Sequence, residues 1–77
     1  MTTDTATGTN KYDELVSFSV GDVAYFKSDV EQAGTVERIE HRGGSTVLVL
    51  TSADGFSGDY IGGQTEAAVD LYDCWSA

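Results

Sequence analysis

GTVERIEHRGGSTVLVLT, residues 34–51, decides the fold. Its second half, Thr46-Val47-Leu48-Val49-Leu50-Thr51, is β-branched and apolar on both faces, the pattern of a strand covered on two sides. It is the expected central strand. His41-Arg42-Gly43-Gly44 before it is a hairpin signal, with two glycines free to take positive φ. Residues 34–42 read as the strand leading into that hairpin. Within it Val36 and Ile39 have opposite parity, so a regular strand would turn them to opposite faces. A β-bulge or sharp bend between them is expected.

Working outward, SFSVGDVAYFK (residues 17–27) carries the same two-residue alternation. Phe18 and Val20 alternate with serines, Gly21-Asp22 marks a turn, and Val23 and Tyr25 oppose Ala24 and Phe26. Residues 28–33 form a polar loop. Tyr12, Leu15 and Val16 lie at helical spacing, but residues 11–16 are too few to fix a helix. Residues 52–58 punctuate a turn with Asp54-Gly55 and Gly58. Residues 66–69 fit one turn of helix or a short strand. VDLYDCW, residues 69–75, ends the pattern with a large apolar group of the kind that closes a barrel. Residues 1–10, MTTDTATGTN, hold almost nothing apolar and are expected to be disordered. The expected organisation is a disordered tail over residues 1–11 and one all-β domain over residues 12–77. That domain would be a small barrel of about five short antiparallel strands.

Composition narrows the function. Thirteen Asp and Glu stand against four Lys and Arg in 77 residues, for a formal net charge of -9. Residues 1–42 hold eight acids and all four basic residues, whereas residues 43–77 hold five acids and no base. Nucleic-acid phosphates would be repelled by such a surface, so nucleic-acid binding is disfavoured. A local patch of Lys27, Arg38 and Arg42 keeps it as the alternative. The acidity has two readings: solvation of the kind that suits high salt, or a surface for a basic partner. One Cys cannot form an intrachain disulfide, and one Cys with one His cannot supply a structural zinc site. No apolar run approaches a membrane helix, and the first ten residues lack the basic and apolar regions of a signal peptide. A soluble, cytoplasmic protein with no cofactor is expected.

Chemistry-bearing motifs are scarce. His41 reads as an exposed turn residue and Cys74 as a small buried hydrophobe whose thiol Asp73 would raise further. No GxSxG, HExxH or phosphate-loop sequence is present, so no catalytic residue is expected. Asp54, Ser57, Asp59 and Glu66 do not follow a calcium-loop spacing and read as a solvated acidic turn. Of the eight aromatics, a barrel this small buries four or five. Phe56, between Gly55 and Gly58, either anchors a partner from a loop tip or folds back to cap the barrel. Tyr25, Tyr60 and Asp59 could cage a cation, although packed aromatics with solvated acids beside them are favoured. The candidate binding set is Phe56 and Tyr60 as anchors with Asp54, Asp59, Asp70 and Asp73 for steering and register.

Val20-Gly21-Asp22-Val23, Gly34-Thr35-Val36 with Ile39, the glycine turn, Val47-Leu48-Val49 and Val69-Asp70-Leu71 together resemble small SH3-like barrels of the tudor and KOW kind. The resemblance spans residues 18–75 and rests on turn glycines and core aliphatics. It implies an SH3-like barrel acting as a binding module, since members of that superfold bind RNA, DNA, proteins or peptides. Most nucleic-acid binders among them are basic, and this chain is acidic. The expectation is therefore a non-enzymatic module that binds a basic protein surface, one version being a nucleic-acid mimic.

Overall fold

The computed structural model describes residues 5–26, 32–52, 56 and 65–76. The domain is all-β. Among the described residues seven strands make two antiparallel sheets: β1 (Thr5–Thr9), β2 (Leu15–Ser19), β3 (Val23–Phe26), β4 (Gln32–Arg42), β5 (Ser45–Thr51), β6 (Glu66–Asp70) and β7 (Cys74–Trp75). A 3-10 turn over Leu71–Asp73 separates the last two. β1 and β2 form a two-stranded sheet, and the other five lie in the order β6-β5-β4-β3-β7.

The hairpin at Gly43-Gly44 forms as the sequence indicates. Arg42 pairs with Ser45, and the two glycines have φ of 56° and 88°, as a tight two-residue hairpin turn requires. The bulge is also present. The β4–β5 register shifts between Val36 and Arg38, so Val36 pairs with Leu50 and Ile39 with Leu48. Both side chains thereby enter the core despite their opposite parity. β5 is an interior strand, as its two apolar faces demand, but the middle position belongs to β4. Residues 66–69, open between helix and strand from sequence, are strand.

The two edge strands of the larger sheet, β6 and β7, are joined by three residues. A flat five-stranded sheet would hold its edges about 19 Å apart. Asp70 to Cys74 can span at most about 14 Å. The sheet must therefore curl, and its concave side holds the core. Inward rows run Ile39, Leu48, Val69 and Val36, Leu50, Ala67 across β4, β5 and β6. Phe26, Ala24, Leu71 and Cys74 extend the core toward β7.

The expected tail is corrected in part. Residues 5–9 pair along their length with β2, and Ala6, Val16 and Phe18 turn into the shared core. Hydropathy missed this strand because its inward residues are small. Ala6 and Gly8 add little apolar surface, but Gly8 allows close approach: a β-carbon there would sit 3.1 Å from Leu71. Residues 11–16 are a turn followed by β2, without a helix.

Asn10 locks this hairpin to the larger sheet. It is buried, and both sides of its amide are used. Its oxygen accepts from the Tyr12 and Glu14 N–H groups at 2.9 and 3.1 Å. Its nitrogen donates to the Cys74 carbonyl at 2.9 Å and to Glu14 Oε1 at 3.3 Å. The Lys11 N–H adds a bond to the Tyr72 carbonyl at 2.9 Å.

Candidate functional site

The candidate residues separate into three groups. Phe56 is corrected: it is 4% exposed, so it is no surface anchor. Its ring meets Phe26 edge-on, with centroids 5.6 Å apart at 71°. Gly34 makes room for it, since a β-carbon there would lie 3.2 Å from two Phe56 ring carbons and 2.9 Å from Leu50 Cβ. Of the two readings open from sequence, the ring folds back into the core. Asp54, Asp59 and Tyr60 lie outside the described residues, as do Lys27 and Ser57. The cage with Tyr25 therefore has only one described member.

Asp70 precedes the 3-10 turn and Asp73 is its last residue. The Asp70 carboxylate accepts from the Tyr72 N–H at 2.9 Å and so caps the turn. Asp73 Oδ1 lies 3.6 Å from Lys11 Nζ. Both acids thus hold local structure while remaining partly exposed. Between them Tyr72 points outward, 56% exposed. Cys74, beyond the turn, is buried, and burial foremost, with Asp73 and Asp70 behind it, pushes its thiol up to about 12. Its Sγ donates to the Asp70 carbonyl at 3.4 Å.

The structure assembles surface groups that sequence reading did not. Tyr25 on β3 pairs with Trp75 on β7, which puts the two rings on one outer face. Tyr12 meets Trp75 edge-on at 5.8 Å and 83°, and Lys11 Nζ sits 5.6 Å from the Tyr12 centroid. The ammonium thus lies near an aromatic ring and a carboxylate together. Tyr12 and Val23 are exposed on this side. Only the pairing of residues 25 and 75, far apart in the chain, reveals the grouping.

Beside Tyr72 an open groove of about 400 Å³ runs between β1 and the end of the larger sheet. Thr7, Gly8 and Thr9 form one wall, with Ser45, Asp70 and Tyr72 on the other side.

The outer face of β4 carries the arginines of the alternative reading. Arg38, Glu40 and Arg42 share one face by two-residue spacing. Arg38 Nε and Arg42 Nε each donate to Glu40 at 2.8 Å, on different oxygens. Arg38 also lies 3.9 Å from Glu66 on β6, so this ion pair passes over β5. Val49 lies in the same outward row, facing Arg38 and Ala68, and is nevertheless buried. The hydrogen bond to Glu40 raises the Arg38 pKa, and the two arginines hold the Glu40 carboxyl below its usual range.

Among the described residues no group of three or more His, Cys, Asp or Glu is placed to hold a metal ion, and no helix is long and apolar enough to cross a membrane. Comparison with protein-family models, curated proteins and solved structures finds no match to this chain.

Proposed function

We propose that this domain is an SH3-like, non-enzymatic interaction module that binds a basic segment of a protein. The strand order supports the SH3-like reading, because a curled five-stranded sheet with a 3-10 turn before its last strand suits that class. One observation carries the functional reading. Each described cation, Lys11, Arg38 and Arg42, already faces a carboxylate of the same chain. The excess acidity of a chain at -9 has no internal counterpart, and Asp13, Glu14, Asp70 and Asp73 neighbour the exposed Tyr12 and Tyr72 along the chain. Acidic residues steer a basic partner and aromatic rings supply desolvated contact. The same observation disfavours the nucleic-acid reading, since Arg38 and Arg42 would have to leave Glu40 to reach phosphates.

The test is capture of partners from the source lysate by immobilised domain, washed at low and then moderate salt. A discrete protein retained at moderate salt, and lost with Tyr72→Ala or Asp73→Asn, supports the module. A smear of basic proteins that washes away overturns it and returns the charge to solvation. Salt-sensitive RNA or DNA binding abolished by Arg38→Ala with Arg42→Ala would favour the alternative.

A further inference from the structure

The backbone of β1 has one side in use and the other open. At the turn, the Asn10 N–H donates to Glu14, toward β2, and the Lys11 N–H donates to Tyr72, away from it. Backbone polar groups alternate sides along an antiparallel strand. Ala6 and Gly8 therefore bond to β2, while the N–H and C=O groups of Thr5, Thr7 and Thr9 point outward. The side chains agree. Thr5 and Ser19 hydroxyls lie 2.9 Å apart and those of Thr7 and Ser17 3.1 Å apart, as suits the closer, non-hydrogen-bonded pairs. Among the described residues no backbone hydrogen bond reaches the outward groups of Thr7 and Thr9. They face the open groove that ends at Asp70 and Tyr72.

We infer that the outer edge of β1 receives an extended, basic segment of a partner protein as a third strand of the β1–β2 sheet. This rests on the proposed function and specifies how the partner is held. The 3-10 turn already makes the first rung, through Lys11 and Tyr72, and the groove continues that line past Thr9 and Thr7. An added strand satisfies the open N–H and C=O groups, and alternate side chains address the groove. Charge selects the occupant. Among the described residues Asp70 lines the groove and no cation does, so a lysine or arginine on the added strand meets a carboxylate, and an apolar neighbour meets Tyr72. A second copy of the chain would bring a further net charge of -9 to the same edge.

The probe is an alternating lysine–valine octapeptide. Controls are the same peptide N-methylated at alternate residues, and a blockwise peptide of identical composition. Binding is read by fluorescence anisotropy and by amide exchange of the full chain. The alternating peptide is expected to slow exchange at Thr7 and Thr9 about tenfold or more, and to bind tighter than either control. Thr7→Pro removes one outward N–H and no backbone bond to β2, as edge strands tolerate, and gives up only the exposed Thr7–Ser17 hydroxyl contact. It is expected to weaken the peptide about tenfold while leaving the melting curve near that of the parent. Equal binding of the blockwise peptide, with unchanged Thr7 and Thr9 exchange, overturns the inference and leaves the acidic module standing. No binding of any basic peptide at low salt overturns both. Concentration-dependent protection of Thr7 and Thr9 in the free protein would assign the edge to a second copy and overturn the partner proposed here.

Discussion

The Asn10 side chain donates to the Cys74 carbonyl at 2.9 Å, across 64 positions of sequence. This bond joins the first hairpin to the last strand, and its buried site leaves no water to replace it.

Replacing Asn10 with alanine leaves the Cys74 carbonyl and the Tyr12 and Glu14 N–H groups short of a partner. A loss of about 2–4 kcal/mol in urea unfolding is expected. Amides of β1 should lose protection before those of β5. An Asn10→Ala protein as stable as the parent would show that the hairpin docks by packing alone.

Phe56 and Gly34 should behave as one packing unit. Phe56→Ala is expected to cost about 3–5 kcal/mol, a large share of the stability of so small a domain. Gly34→Ala drives a methyl against Leu50 and Phe56, at a cost of about 1–3 kcal/mol. Phe56→Leu shortens the clashing ring, so the double variant should be more stable than additivity allows, by about 0.5–1 kcal/mol. Strict additivity in that cycle would separate the two residues.

Cys74 sets a limit at alkaline pH. Its folded pKa, about 12, lies above the ordinary thiol value of 9.0. The unfolded chain therefore releases the proton first. The contribution is complete below pH 9.0 and declines as pH rises toward about 12. The decline is at most about 1.4 kcal/mol per pH unit. Across this range the unfolding free energy of the parent should fall relative to that of Cys74→Ala by up to that slope. Native protein at pH 8 should also leave a thiol reagent unconsumed until urea is added.

Added KCl screens repulsion among thirteen acids and is expected to raise the melting temperature. Each kcal/mol relieved shifts it by about 4–8 °C in a domain of this size. A flat response between low and molar salt would mean that the charge costs the fold little and would strengthen its assignment to partner binding.

The sequence carried the all-β class, the Gly43-Gly44 hairpin and the bulge after Val36, because each depends on neighbours within a few residues. β1 escaped because its inward positions are Ala6 and Gly8, whose value lies in closeness to Leu71 and not in hydropathy. The side taken by Phe56 depended on a slot at Gly34, which no local pattern encodes. The same holds for the surface. Asp70 and Asp73 were legible as acids but not as supports of the 3-10 turn. Tyr12, Tyr25 and Trp75 meet only after β7 finds β3.

That last pairing has a temporal side. Tyr25 and Phe26 bond to Trp75 and Cys74, so one flank of β3 has no native neighbour until those residues are made. At about 5–20 residues per second, the ribosome leaves it waiting roughly 2–10 s. β4 and β5 can zip together well before then, since only two glycines part them. The β4–β5 hairpin is thus closed by its own turn, whereas the seam along β3 stays unfinished until Cys74 and Trp75 are in place.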